Sequence, residues 1–577
     1  MHHHKPKIIE NTVLKILQDK RRQVGVIIAT LLILGISLLM FPTMLVKAKL
    51  LPKPTADYFT IYVDLPSGKS IEETKQVTEC ITNTLTSEKE IENMSTFLGE
   101  SLPVDFSAII KWRVLKSNEN TANILVNLTK KEERDENSLV IVSRLRPIVQ
   151  KACSAEGANI KFIEDPAGPP VLASLVAEIT SPNYYQNNLN TLADEIYAIF
   201  KNTKTLVDID IERDQTYKKY DVILNEEKIF RAGLSMDHVK NVLYAAFEGM
   251  DIAYVNDPYA NNQIPIHLVL SNETKKLSDN RSETLLFKLN ELKLLNSQGM
   301  MVPMSELVDI KDTTNTKKIV SKNLTPLISI IAEADMESQI YPLLDARKAI
   351  IEKLGNKYSI EKTKFLDLKL TNKKTGEEFF LHWDGEQKLT FETFRDLGFA
   401  LLVSIIMIFL LMVIYYHSFS LATGIILASF ISIAGVIYMH FIIDIFSPTT
   451  FFITGTSLIG FIGLIGINSR NSLLIIDFAK QLIEEKHFSV DKAIAVSIQT
   501  RAKPILLTVL AIVFASSLLV LDPVFSGLGA ALIGGTLIAY MVSLFVVPIL
   551  IFRPLKKMYP DYADCYEKNH DDSLQST

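Results

Sequence analysis

Hydrophobic and polar positions fall into two regimes along this chain. Residues 24–46 form a run without a single charged side chain, long enough to cross the ~30 Å hydrocarbon layer of a bilayer as a helix. A long stretch of mixed pattern follows, and apolar runs then resume at 397–416, 419–439, 451–478, 504–521 and 524–552. This predicts six membrane spans. The first reads as an uncleaved anchor, because it is well beyond the ~7–15 apolar residues of a signal-peptide core.

The mixed region, about 53–390, alternates strand-like and helix-like stretches. Residues 58–65 alternate as a strand, and Pro66-Ser67-Gly68 turns the chain. Ser70 with Glu73 forms a capping box for a helix striped by Val77, Cys80, Ile81 and Leu85. Strands at 93–98 and 123–128, a helix at 139–152 and a strand at 159–164 complete a βαββαβ order. After the breaker Asp165-Pro166-Ala167-Gly168-Pro169-Pro170 the pattern restarts. A strand spans 171–179, Ser181-Pro182 opens a helix striped by Leu189, Leu192, Ile196 and Ile199, and strands follow at 206–212 and 220–224. An insertion then precedes the expected last helix at 341–354. Two related α+β units in tandem suggest either a ligand cleft between them or a purely structural repeat.

Charge fixes the orientation. Lys15, Lys20, Arg21 and Arg22 precede the first span, Lys480, Lys486, Lys492, Arg501 and Lys503 lie between the fourth and fifth, and Arg553, Lys556 and Lys557 follow the last. Lysine and arginine stay cytoplasmic in short loops, so both termini are placed inside and the large domain outside. A net charge of -5 and the lack of a long basic tract give no sign of nucleic acid. Cys80, Cys153 and Cys565 show no zinc-type spacing. Two free buried thiols are the favoured reading of Cys80 and Cys153, with a bridge open to them if both face an oxidising compartment. His2, His3 and His4 are left out of metal arguments. Met300, Met301 and Met304 could bind a soft metal but, with no His or Cys beside them, read as a packing strand. No P-loop or catalytic triad is present, so an ion gradient and not ATP is the expected driving force, with no cofactor and no enzyme activity.

Arg470 carries the chemistry. It lies deep in the fourth span, where a guanidinium costs about 2.5–3.5 kcal/mol by insertion scales and calls for a partner. Asp477 is the only acid in that span, two turns away and near the interface. Two readings stay open: carboxylates supplied by another polypeptide, or satisfaction by backbone carbonyls and the hydroxyls of Ser469, Ser472 or Thr508. Thr508, following Pro504 at similar depth, is within plausible hydrogen-bonding reach of Arg470. The 481–499 connector has an amphipathic stripe and is expected to lie along the membrane face.

Phe461-Ile462-Gly463-Leu464-Ile465-Gly466 through Arg470-Asn471-Ser472-Leu473-Leu474-Ile475-Ile476-Asp477-Phe478-Ala479 resembles the tenth transmembrane helix of acriflavine-resistance (AcrB-type) permeases of the resistance-nodulation-division (RND) family. Arg501-Ala502-Lys503-Pro504-Ile505-Leu506-Leu507-Thr508 is similar to the opening of their eleventh. Leu65-Pro66-Ser67-Gly68, Gly168-Pro169-Pro170, Trp383-Asp384-Gly385 and Val546-Val547-Pro548 extend the likeness over nearly the whole chain.

The resemblance implies an α+β membrane protein, a six-helix bundle with two ferredoxin-like porter subdomains and an inserted docking subdomain. Its segments are a cytoplasmic 1–23, the first span at 24–46, a porter subdomain at 53–167, a second at 168–225 and 311–390, a docking insertion at 226–310, five spans within 397–552 and a tail at 553–577. It implies the C-terminal half of a proton-driven exporter of amphiphilic compounds in a bacterial inner membrane. Expected partners are a separate N-terminal half bearing the acidic proton sites, trimeric neighbours, a periplasmic adaptor and an outer-membrane channel. Arg470 stands where many members have a relay lysine, and Arg501 and Thr508 where they have a relay arginine and threonine, with Asn471 beside them. Arg keeps the charge but does not deprotonate, so a sensor of distant carboxylates is the expected role. Phe97, Leu98, Gly99 and Leu125 fall where a phenylalanine-rich substrate loop is expected. Alternatives are a non-functional remnant of a split gene and a protein-export accessory of the superfamily.

Overall fold

The structure is a computed structural model. It describes residues 8–562 except 52, 54, 104–105, 165–167, 169–170, 184–188, 280, 336–337, 365 and 448. The histidines at 2–4, Cys565 and most of the 165–170 breaker therefore lie outside the described residues.

An amphipathic helix α1 (Ile8–Gln18) precedes the first span, α2 (Lys20–Leu39), and buries Val13 and Leu17. Asp19 starts α2 by accepting from the Arg21 amide at 2.8 Å, so the basic cluster joins the first turn. The span ends before the expected 46, because the chain turns at Met40–Met44, where Met44 has φ 57°.

The first sheet contains β1 (Tyr58–Asp64), β2 (Ile91–Leu98), β3 (Thr121–Leu128) and β4 (Asn159–Ile163) in the antiparallel order β2-β3-β1-β4. Two helices, α3 (Ile71–Leu85) and α4 (Ser138–Cys153), cover one face. Phe59, Ile61, Val63, Ile124, Val126 and Phe162 point to the helices and form the core with Val77, Ile81 and Leu145. The Ser70/Glu73 capping box is present. Because α3 and α4 run side by side, Cys80 and Cys153 come within 5.8 Å at Cα and form a disulfide. The favoured expectation of free thiols is corrected: helical spacing alone did not show that these two positions face each other.

The second sheet holds β5 (Leu175–Thr180) and, after helix α5 (Leu189–Lys201), β6 (Leu206–Glu212). The next strand predicted at 220–224 does not join it. That segment, β7 (Lys218–Leu224), pairs with β10 (Val308–Thr314) inside a separate compact unit, Arg213–Ile319. This unit has its own core of Ile229, Leu234, Val239, Leu289 and Met304 and an exposed hairpin of β8 (Met250–Val255) and β9 (Ile264–Leu268). Met304 is buried while Met300 and Met301 are more than half exposed, so the three thioethers do not share one environment.

The second sheet resumes with β11 (Thr325–Ala334), helix α6 (Ile340–Leu354) and the meander β12 (Tyr358–Lys362), β13 (Leu368–Asn372) and β14 (Glu378–Asp384). Its order is β6-β11-β5-β14-β13-β12. The place beside β5 that a plain βαββαβ unit gives to its fourth strand is thus taken by β14, two strands later. Gly385 then turns directly into the membrane at φ 94°, where an added Cβ would stand 2.5 Å from the Ala173 carbonyl oxygen.

The five further spans are α7 (Glu386–Tyr416), the pair α8 (Phe419–Ile431) and α9 (Ile433–Phe446), α10 (Gly455–Lys486), α11 (Val490–Val520) and α12 (Ser526–Phe545), followed by α13 (Val547–Met558). The run at 524–552 is two helices, parted at Val546 just before Pro548, which lacks a backbone donor. The 481–499 connector is not a separate surface helix: its halves end α10 and begin α11, and Val490, Ile494 and Ile498 are buried in the main apolar cluster with α1. Helices α9 and α12 cross at Gly435 and Gly534, where a Cβ on either would stand 2.2 Å from the other's carbonyl oxygen.

Besides the Gly385 turn, one short element also joins the long apolar helices to the α+β layers. Ala48, just past α2, bridges to Ile453 at the head of α10, with Ile453 N donating to Lys47 O at 2.8 Å and Lys49 N to Ile453 O at 3.0 Å. Ser338, beside the start of α6, donates to the Ala48 carbonyl at 2.6 Å.

Candidate functional site

Arg470 sits near the middle of the 32-residue α10, roughly 22 Å from its start at 1.5 Å per residue. Exposed positions on this helix recur as Ile459, Gly463, Gly466, Arg470 and Leu474, a helical spacing that makes one stripe. The opposite side, with Leu464, Asn468, Ser472 and Ile475, is buried against the other spans. Nothing lies within 4 Å of a Cβ added at Gly463 or Gly466, so the stripe is an open, shallow face. Among the described residues Arg470 makes no ion pair and no hydrogen bond. Of the two readings left open, satisfaction by this chain's own carbonyls and hydroxyls is not what the described residues form, because the helix turns the guanidinium outward. Ser469 and Ser472 face inward, and the Thr508 hydroxyl donates to the Pro504 carbonyl of its own helix at 3.1 Å.

The other residues grouped with Arg470 lie apart from it. Asn471 is buried on the inner side. The Arg501 guanidinium stands 5.0 Å over the Phe478 ring, with its Nε buried and unpartnered. Asp477, two turns below Arg470, accepts from Tyr416 at 2.9 Å and Tyr415 at 3.3 Å.

Two polar residues escaped the sequence reading. Asn468 is buried in α10 with both amide atoms unpartnered. His440 is fully buried in α9, its Nδ1 donating to the Val436 carbonyl at 2.8 Å and its Nε2 2.9 Å from the Ser457 hydroxyl. For His440 the available signal was a lone polar residue in an apolar run, and for Asn468 its place at the head of the polar stretch Asn468-Ser469-Arg470-Asn471-Ser472.

The four residues expected at a substrate loop divide. Leu98 packs into the first core, while Phe97 stands opposite Asn123 and Leu125 opposite Ser95 on the other sheet face. Gly99, at φ 68°, turns the chain and donates to the Thr121 carbonyl at 2.9 Å.

The cleft expected between the two α+β layers is a charged seam. Edge strands β4 and β6 run together, and Asn159 reaches the Ile209 carbonyl at 3.4 Å. Asp208 crosses the seam, taking the Phe162 amide, Gln150 and Arg146 each at 3.2 Å. Arg146 also holds Asp335 at 2.7 Å. Lys161 binds Asp64 and Asp210, Arg113 also binds Asp64, Lys111 holds Glu333 at 3.1 Å, Lys53 holds Glu164 at 3.2 Å and Lys116 lies 3.6 Å from Glu212. Burial pushes the Asp208 carboxyl up to about 6 against the pull of Arg146. Glu333 is held down to about 2, the burial penalty being outweighed by Lys111 and Lys53. Small cavities remain beside Lys53, Lys111 and Glu333.

Residues 2–553 match the family model described as the AcrB/AcrD/AcrF family. The chain is 25% identical over 462 residues to the multidrug resistance protein MdtC of Photorhabdus laumondii, covering 77% of this chain and 40% of that protein. It is 22% identical over 556 residues to the multidrug export protein AcrF of Escherichia coli, covering 93% of this chain and 48% of that one. Its fold matches the crystal structure of a heavy metal efflux pump with a TM-score of 0.67 at 16% identity, over 94% of this chain and 52% of the other. The chain therefore spans about half the length of the relatives it matches. On the family match, which takes in the span with Arg470 and both α+β layers, this chain belongs to the AcrB/AcrD/AcrF family of RND transporters.

Proposed function

We propose that this chain is the C-terminal half of a proton-driven RND exporter of amphiphilic compounds, completed in an inner membrane by another polypeptide segment that supplies carboxylates opposite Arg470. The observation that carries the reading is the outward, unpaired guanidinium at mid-depth of α10, on a glycine-lined face that a second helix can approach closely. A permanent cation there attracts ionised carboxylates and loses that attraction when they take protons, which ties protonation to helix docking. Arg470 acts as the sensor of that charge, while Arg501, Thr508 and Asn471, which lie apart from it, are the other positions that the family resemblance assigns to charge coupling. The family match supports export as the task. The two α+β layers serve as porter subdomains and Arg213–Ile319 as the docking subdomain that meets an adaptor and outer channel, within a trimer. Phe97 and Leu125, on one sheet face, are the substrate-facing pair.

The test is affinity purification of the tagged chain from its own host in mild detergent. A co-purifying membrane protein with acidic residues inside its spans is expected. A preparation of this chain alone that drives proton-coupled ethidium transport in liposomes would overturn the proposal.

A further inference from the structure

At the junction of the two α+β layers, the ladder hydrogen bonds that would zip β4 to β6 are largely replaced by charge. Asp208 is the residue that makes the crossing, and its backbone shows how. It sits at φ 53°, in the left-handed region that an aspartate seldom enters, beside a register shift where β6 pairs with β11. The bulge re-aims one side chain out of the strand. That side chain lies 1% exposed against the first layer.

Asp208 must share its close cation. From α4 comes Arg146, which Asp208 shares with Asp335. From β11 comes Glu333, from the end of β4 Glu164 and from the linker after α2 Lys53. Among the described residues the ion pairs above join six cations to seven carboxylates, and Lys49 is buried beside Glu164 and Glu333 as a further cation. When the layers part, every one of these groups is hydrated and ionised at neutral pH. When they meet, Asp208 is buried with a single close cation, Arg146, that it shares with Asp335, and a proton relieves the shortfall.

We propose that the β4–β6 seam, when it closes in mildly acid surroundings, takes up a proton from water on the Asp208 carboxylate and releases it on opening. The proton forms an O–H bond at Asp208 Oδ1, the oxygen facing Gln150, while Oδ2 keeps accepting from the Phe162 amide and Arg146, whose charge is then left to Asp335. Closure of the soluble layers is thereby tilted by external pH, independently of the membrane site at Arg470. The sign follows from linkage: a carboxyl pushed up to about 6 when closed, against an ordinary 3.8 when open, favours closure at low pH and loses that contribution as pH rises through 6. Between pH 8 and pH 5 the closing constant should rise about tenfold.

Hydrogen–deuterium exchange on the full chain in lipid nanodiscs reads this directly at the Phe162 amide, with the core amides of β3 as internal reference. After correction for intrinsic exchange, wild-type protection is expected to rise about tenfold from pH 8 to pH 5. Asp208→Asn keeps the shape and tolerates the left-handed backbone, so its seam should stay protected at both pH values. Should that variant fold poorly, Asp335→Asn decides: it gives Arg146 to Asp208 alone and should flatten the pH response. Equal wild-type protection at both pH values, or an unchanged pH response in whichever variant folds, would overturn the proposal.

Discussion

A guanidinium and an ammonium bring the same charge into a bilayer, but only the ammonium readily gives up its proton. If Arg470 senses charge and does not carry protons, Arg470→Lys should retain most efflux and Arg470→Gln should lose at least about tenfold, roughly the effect of 1.4 kcal/mol; ethidium accumulation in the host carrying each allele measures it. A second residue-scale prediction lies outside the membrane. His382 Nδ1 is 2.9 Å from Asp367, and that hydrogen bond raises the imidazole above its ordinary 6.5. Its contribution is full below the ordinary value and fades as pH rises through the raised one. Asp367→Asn should return the titration of His382 toward 6.5, as followed by imidazole NMR. Arg470 was legible because a charge in an apolar run stands out. Asp208 was not: Asp208, Asp210 and Glu212 alternate like the wet face of any edge strand, and neither the positive φ nor the neighbouring β4 edge leaves a trace in that pattern.

The helices were easier to read than their partners. All five later spans and the first were visible as apolar runs, yet the break at Val546, the continuity of α11 through Pro504 and the inward side of 490–498 depend on packing that a hydropathy pattern does not encode. The second sheet was misread for a similar reason: β7 alternates as well as any sheet member, and only its pairing with β10 removes it to the inserted unit. The disulfide between α3 and α4 closes a sequence separation of 73 residues, so Cys80→Ser should lower the stability of the first layer by about 2–5 kcal/mol, read by thermal unfolding with and without reductant. Glycines give a paired contrast. Gly534→Val meets the Gly435 backbone and should cost about 1–3 kcal/mol with reduced yield of folded protein. Among the described residues nothing lies within 4 Å of a Cβ at Gly463, so Gly463→Leu should fold normally in detergent and lose the co-purifying partner.

In the whole molecule, the α+β layers and the long apolar helices are joined at the Gly385 turn, by Gln339 donating to Thr390 at 2.7 Å, and by the stitch at Ala48. Two backbone hydrogen bonds fasten the exit of α2 to the head of α10, and one hydroxyl carries the same strand to the approach of α6. Such a coupling has almost no slack. Were α10 to slide along its axis by the rise of a single residue, about 1.5 Å, the push would arrive at the second layer as a shove on α6, much as a camshaft lifts a valve.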